Sequence, residues 1–326
     1  MLRMDGFTFQ SALSPEEAVE RFGDDGEAMY VAGGTDLLPN LKHRIFQPKR
    51  LIGLSRALTR GLGQERGEWV IGAGTRLSAL AREPVLGPLA TAAGLVAGPQ
   101  IRNMGTLGGN ILLDTRCLFY NQTAFWRQAL GHCLKAEGDW CHVVNGPKTC
   151  VASQSSDTVP VLLALDARIR LLGPAGHREL ALRDLYRFNG MDHLALQKGE
   201  LLTEVVVPAQ PKGSRGSYQK LRTRGAIDFP QVGVAIIGRM EGESLAALEV
   251  VIGAVNPQPK PIAGLSDFFG RPLDEDTVQA IGERVHKRTR PQGSVAGDPT
   301  WRRQMARHFV ERGLRALREG REPTPA

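Results

Sequence analysis

Apolar and polar positions divide the chain into short segments punctuated by glycine turns. Ser14-Pro15-Glu16-Glu17 carries the marks of a helix start: a capping serine, a proline at the first helical position and a glutamate placed to reach back. Ala18, Val19 and Phe22 give that helix one apolar face, and Gly23-Asp24-Asp25-Gly26 ends it. A strand is predicted over Ala28 to Val31, running straight into Ala32-Gly33-Gly34-Thr35-Asp36. A second strand, Trp69 to Ile71, runs into Gly72-Ala73-Gly74-Thr75. Pro88 to Ala97, rich in Ala and Leu, reads as a buried helix, and a third glycine-rich turn follows at 102–110. Val159 to Leu172 reads as a helix passing into a strand, and Leu201 to Val207 as another strand.

Pro208 to Gly216, with two prolines and two glycines, marks a domain boundary. Beyond it, Ser217 to Leu221, Val232 to Met240 and Ala246 to Val255 read as strands of one antiparallel sheet, with helices after them. In the last helix Asp298 is the expected cap and Pro299 the first residue. Trp301, Met305 and Phe309 recur every four positions as its expected core stripe.

At 326 residues, 42% hydrophobic and 23% charged, the chain has room for two domains with hydrophobic cores. No stretch is long and apolar enough to span a membrane, and Met1 to Phe9 lacks a secretion signal, so a cytoplasmic protein is expected. The net charge of +7 is spread along the chain rather than interleaved with aromatics, which argues against nucleic acid. Arg302-Arg303 and 315–321 hold much of the excess, read as a solvated helix face or a surface for acidic partners.

All four cysteines, Cys117, Cys133, Cys141 and Cys150, fall in one stretch. Clustered thiols in a reducing compartment point to a metal site rather than disulfides. Their spacing lacks the close Cys-x2-4-Cys knuckle of zinc modules and the short runs of common ferredoxins. Chemistry alone leaves a tetrahedral zinc ion and a four-iron cluster both open. His132 and His142 are candidate ligands or hydrogen-bonding neighbours. Phe119, Tyr120, Phe125, Trp126 and Trp140 could shield a cluster, or form a small local core.

The turns at Gly33-Gly34 and Gly108-Gly109 could each present backbone N–H groups to an anion, with glycine allowing close approach. Neither fits Gly-x-Gly-x-x-Gly, and no Gly-Lys-Ser/Thr loop is present.

Ala32-Gly33-Gly34-Thr35-Asp36, taken with Arg102-Asn103-Met104-Gly105-Thr106-Leu107-Gly108-Gly109-Asn110-Ile111, resembles the two FAD-pyrophosphate loops of xanthine dehydrogenase family flavin subunits. The block from Asp157 to Ala167, and Lys220, Arg222, Arg224 and Asp228-Phe229, resemble later family blocks, so the likeness covers almost the whole chain. The resemblance implies an α+β fold: a two-subdomain FAD-binding domain over 1–212, then a smaller α+β domain over 213–326. By the same resemblance, Tyr30, Val31, Ala32, Gly33, Gly34, Thr35, Asp36 and Leu37 wrap the FAD pyrophosphate with Thr106, Leu107, Gly108, Gly109 and Asn110, largely through backbone N–H groups. Asp157 would hold the ribityl or ribose region, and Val96, Leu202 and Lys220 would lie nearer the isoalloxazine. Lys220 could instead be a surface lysine, and Asp36 could cap the helix after its loop.

Residues 115–153 form an insertion that most family members lack, and it holds every cysteine. Asp114-Thr115-Arg116-Cys117, Cys133-Leu134-Lys135 and Cys141-His142-Val143 resemble the loop of 4-hydroxybenzoyl-CoA reductase β subunits, which carries a [4Fe–4S] cluster. The resemblance implies cluster ligation by Cys117, Cys133, Cys141 and Cys150. It also implies a large molybdenum-cofactor subunit and a small subunit with two [2Fe–2S] clusters, in a dimer of heterotrimers. Electrons from a ferredoxin-like donor would pass through [4Fe–4S], FAD and [2Fe–2S] to molybdenum, where a phenolic hydroxyl is removed. No side chain here is then an acid, base or nucleophile. Two other readings remain: the flavin subunit of another molybdenum hydroxylase or dehydrogenase, and a zinc-stabilised, non-catalytic binding protein.

Overall fold

The computed structural model describes residues 2–146 and 148–321; residues 1, 147 and 322–326 of the expected domains lie outside the described residues. The chain opens on a three-stranded parallel sheet of β1 (Thr8–Ser11), β2 (Ala28–Val31) and β3 (Arg50–Gly53), in the order β1-β3-β2. Parallel neighbours need crossover connections, and helices Pro15–Phe22 and Leu37–Lys42 supply them. The first is capped as its sequence predicts. Ser14 Oγ accepts from the Glu17 amide at 3.1 Å while the Glu17 carboxylate accepts from the Leu13 amide at 2.6 Å.

Five antiparallel strands follow, β4 (Leu62–Glu65), β5 (Glu68–Gly72), β6 (Arg168–Gly173), β7 (Gly176–Ala181) and β8 (Leu201–Val207), in the order β4-β5-β8-β6-β7. The sheet alternates as a one-sided sheet should. Ile169, Leu171 and Val205 are buried in the core. On β6, Arg168 and Arg170 reach Glu68, Glu179, Glu65 and Glu204 across neighbouring strands. The helical residues 77–111, the cysteine segment and the helix Thr158–Ala164 are all inserted between β5 and β6.

The third sheet contains β9 (Ser214–Leu221), β10 (Val232–Glu241), β11 (Ser244–Gly253) and β12 (Lys260–Pro261), antiparallel in the order β12-β11-β10-β9. These include the three strands predicted beyond the boundary. Unlike the second sheet, this one is covered on both faces. Val234 and Ile236 join the core formed with helices Glu275–Arg288 and Pro299–Arg318, while Ala235 and Ile237 join the core of the N-terminal part. The unbroken apolar run of β10 follows from that double burial.

Two expectations need correction. The helix at Pro88 ends at Gly94, not Ala97, and Ala97 itself has a positive φ of 40°. In the last helix, Trp301 is exposed and Met305 only partly buried, so of the expected stripe only Phe309 lies fully on the core face. The buried face runs through Arg302, Ala306, Phe309, Val310, Gly313, Leu314 and Leu317. Arg302 can lie inside because its guanidinium donates to the carbonyls of Gln231 (2.9 Å), Gln292 (2.7 Å) and Ala254 (2.8 Å). It is therefore not part of a solvated basic face. Among the described residues, no helix is long and apolar enough to cross a membrane.

Candidate functional site

Two adjoining cavities carry the candidate chemistry. The larger is a cleft, partly open to solvent, at the carboxyl end of β2. Tyr30 through Leu37 line one side, and Thr106, Gly108, Gly109 and Asn110 the other, with Val96 and Leu202 also contributing. Carboxyl ends of strands in a parallel sheet are the usual place for a nucleotide. The first glycine turn is shaped for an anion. Gly34 has φ of +70°, and a Cβ on Gly33 would run into the Met104 carbonyl. The N–H groups of Gly33, Gly34, Thr35, Asp36 and Leu37 find no acceptor among the described residues. Five adjacent free donors at a cleft wall fit a pyrophosphate, so the residues present suit FAD.

The second turn works differently. The amides of Leu107 and Gly108 donate to Thr75 and Ala73 carbonyls (both 2.9 Å), and those of Gly109 and Asn110 return to Thr106. These donors are used within the protein, so this turn does not present a row of free amides. Leu107 is fully buried in the core, outside the cleft lining. Gly108 is required because a Cβ there would press on Ala73 at 2.9 Å. What the turn offers the cleft is Asn110. Its Oδ1 accepts from Ser156 Oγ (2.6 Å) and Thr158 Oγ1 (2.7 Å), and its amide NH2 donates to no acceptor among the described residues.

Asp157 and Lys220 are brought together, but behind the cleft rather than in its lining. Lys220 Nζ donates to Asp157 Oδ2 and to the Leu95 carbonyl, both at 2.9 Å, and the Tyr218 hydroxyl donates to Asp157 Oδ1 at 2.8 Å. Lys220 is thus a buried ion-pair partner, not a surface lysine. Asp36 makes no capping bond to the helix after it. It pairs instead with Arg116 of the cysteine segment and accepts from Asn40. The sequence also gave no warning that Asp114, Ile101 and Phe229 line the cleft. Arg116 stacks over Phe229 at 4.4 Å, and burial pulls its guanidinium down to about 10.

Cys117, Cys133, Cys141 and Cys150 all line the smaller cavity, with Phe119, Tyr120, Lys135 and His142. None is in a disulfide. Burial, reinforced by the Cys150 and Cys133 thiols, pushes Cys117 up to about 11, and burial also raises Cys150. Coordination by a cation would supply the charge that releases those protons. The amides of Val143 and Ala152 point at Cys141 and Cys150 sulfurs, both at 3.4 Å. Among the described residues, no three His, Cys, Asp or Glu side chains converge closely enough to hold a single metal ion. His142 Nε2 and His132 Nδ1 each donate to a backbone carbonyl at 2.8 Å, which leaves those nitrogens engaged. Phe119 and Tyr120 shield the cavity, whereas Phe125, Trp126 and Trp140 are exposed.

Comparison with known proteins agrees with this geometry. The family model for the FAD binding domain in molybdopterin dehydrogenase matches residues 5–210, and that for the CO dehydrogenase flavoprotein C-terminal domain matches 216–317. The chain belongs to this family of FAD-binding oxidoreductase subunits. The aldehyde oxidoreductase FAD-binding subunit PaoB of Escherichia coli (strain K12) is 33% identical, over 75% of this chain and 81% of its own. The carbon monoxide dehydrogenase medium chain of Hydrogenophaga pseudoflava is 29% identical over 95% and 96% of the two chains. A solved carbon monoxide dehydrogenase from that organism superposes with a TM-score of 0.78 at 26% identity, covering 97% of this chain and 98% of its own. The two-part α+β architecture expected from the sequence is the one this family has.

Proposed function

We propose that this flavoprotein subunit carries a [4Fe–4S] cluster as well as FAD, and relays electrons inside a molybdenum enzyme that resembles 4-hydroxybenzoyl-CoA reductase. The observation that carries the reading is that four free cysteines, from a single inserted segment, line one small cavity beside the flavin cleft. Four thiolates suit either a tetrahedral zinc ion or a four-iron cluster, and the likeness of the inserted segment to the 4-hydroxybenzoyl-CoA reductase loop favours the cluster. When bound, FAD exchanges electrons singly or in pairs and the cluster exchanges them one at a time.

The chain's own residues then have defined tasks. Gly33 through Leu37 offer amides to the pyrophosphate, and Asn110, aimed by Ser156 and Thr158, offers its NH2. Val96 and Leu202 supply apolar wall, and the Asp157–Lys220 pair stiffens the floor behind it. Cys117, Cys133, Cys141 and Cys150 ligate the cluster, with the Val143 and Ala152 amides bonding to sulfur. Substrate chemistry falls to a large molybdenum-cofactor subunit, with a small [2Fe–2S] subunit between, and a ferredoxin-like protein as donor. Two heterotrimers make up the complex, which works in the cytoplasm. The carbon monoxide dehydrogenase and nicotine 6-hydroxylase subunits among the relatives favour a second reading, in which electrons leave through the flavin to an outside acceptor.

The test is metal and flavin analysis of the anaerobically purified complex. The expected result is about one FAD per chain and about four irons that disappear when Cys133 and Cys141 become Ser. Zinc without flavin would overturn the reading. Flavin without those four irons would leave a family member lacking the cluster.

A further inference from the structure

At Val96 and Ala97 the wall of the flavin cleft is held in a backbone conformation that its residues would not adopt by themselves. Both residues line the cleft. Ala97 has a φ of 40°, in the left-handed region that penalises any residue with a Cβ. The glycine that could adopt it freely stands one residue later, at Gly98, where the backbone is extended. Such strain persists only where the surroundings impose it.

Two cations impose it here. Lys220, on β9 of the C-terminal sheet, donates from Nζ to the Leu95 carbonyl at 2.9 Å. Arg102, on the helix Pro99–Met104, donates to the Val96 carbonyl at 2.7 Å and reaches the Ala97 carbonyl at 3.4 Å. Three consecutive carbonyls, 95 to 97, therefore accept from charged side chains, and such bonds are stronger than those between neutral groups. Lys220 also pairs with Asp157. Arg102 makes no ion pair among the described residues, and its guanidinium is spent on this turn.

We propose that Arg102 is a positioning residue for the flavin: with Lys220 it clamps the strained turn at Ala97, and so keeps Val96 and Ala97 set as a preformed wall for the bound FAD. The inference rests on the flavoprotein reading and adds to it a residue that acts through the backbone, without touching the cofactor. Once the clamp is removed, Ala97 relaxes to a negative φ, which turns the neighbouring peptides and moves the wall. Because Lys220 belongs to the C-terminal part of the chain, the shape of this wall also depends on how that part is seated.

The experiment uses the complete complex, stripped of flavin and titrated with FAD by fluorescence, with thermal unfolding followed on the flavin-free samples. Arg102→Met removes the donors and is expected to weaken FAD binding roughly 5- to 20-fold. The flavin that does bind is expected to lose the fine structure of its visible absorption band, because a displaced wall admits water to the ring. Arg102→Lys, which keeps the charge without the fork, is expected to fall between this variant and the wild type. The deciding variant combines Arg102→Met with Ala97→Gly. Glycine holds a positive φ without cost, so the turn keeps its shape with no clamp. The double variant is therefore expected to bind FAD more tightly than Arg102→Met alone. A double variant as weak as Arg102→Met would mean that Arg102 does not act through the turn, and would overturn the proposal. So would wild-type FAD affinity and band shape in Arg102→Met, whatever its melting temperature, or in Arg102→Lys should Arg102→Met not assemble. A wild-type complex that takes up no FAD would instead overturn the flavoprotein reading itself.

Discussion

A methyl group at residue 190 would lie 2.9 Å from the Cys150 sulfur and 3.0 Å from the Ala152 amide nitrogen. The Gly190 amide also donates to the Cys150 carbonyl at 2.8 Å, so this distant loop is bound to the end of the cysteine segment. Gly190→Ala must therefore push Cys150 off its place or shift the loop. The expected outcome is a loss of about 1–3 kcal/mol of stability by overpacking. Iron per chain should fall with it while FAD is retained. Unchanged iron in a folded variant would mean that the position of Cys150 does not matter for cluster retention. Asp157 and Lys220 make a related point about what a sequence can reveal. Both were legible as residues of the family blocks, though neither lines the cleft. Their mutual pairing at 2.9 Å, behind the cleft, was not, because it joins residues 63 positions apart through tertiary structure.

Elements that rest on local chemistry were the legible ones. The capped helix Pro15–Phe22, strand β2 with its glycine turn, and the strands of the third sheet all stand where turn residues and apolar runs put them. The helix Pro299–Arg318 also starts at its expected cap, with Asp298 accepting from the Trp301 amide at 2.8 Å. Its face was misjudged because hydrophobicity ranks Trp301 above Arg302, whereas three carbonyls within reach make the arginine the buried residue. The two glycine turns looked alike in sequence and differ in the fold. Only the first keeps its amides free, because the second packs on the Gly72–Thr75 turn and bonds to it. Arg302→Leu should cost roughly 3 kcal/mol or more, since it removes the guanidinium from three carbonyls in buried or half-buried surroundings. Thermal unfolding measures this. A melting temperature equal to the wild type would show that those bonds contribute little.

At the scale of the whole molecule, the inserted segment is tied into the flavin half by three of its cations as well as by the Gly190 loop. Arg116 pairs with Asp36, Lys135 with Asp114, and Arg127 donates to the carbonyls of His43 (3.2 Å) and Arg44 (3.0 Å). Arg116 and Lys135 thus cross from the cysteine segment to residues of the cleft wall, Asp36 and Asp114, and the two cavities share a partition. The C-terminal sheet closes the assembly by giving one face to each core. This arrangement suits a subunit that passes electrons over a short distance between two bound groups. The most direct test is low-temperature EPR of the reduced complex, comparing the wild type with the Cys133→Ser, Cys141→Ser variant. The account requires a four-iron signal in the wild type that vanishes in the variant, with the flavin and [2Fe–2S] signals intact. Identical spectra from the two proteins would contradict it.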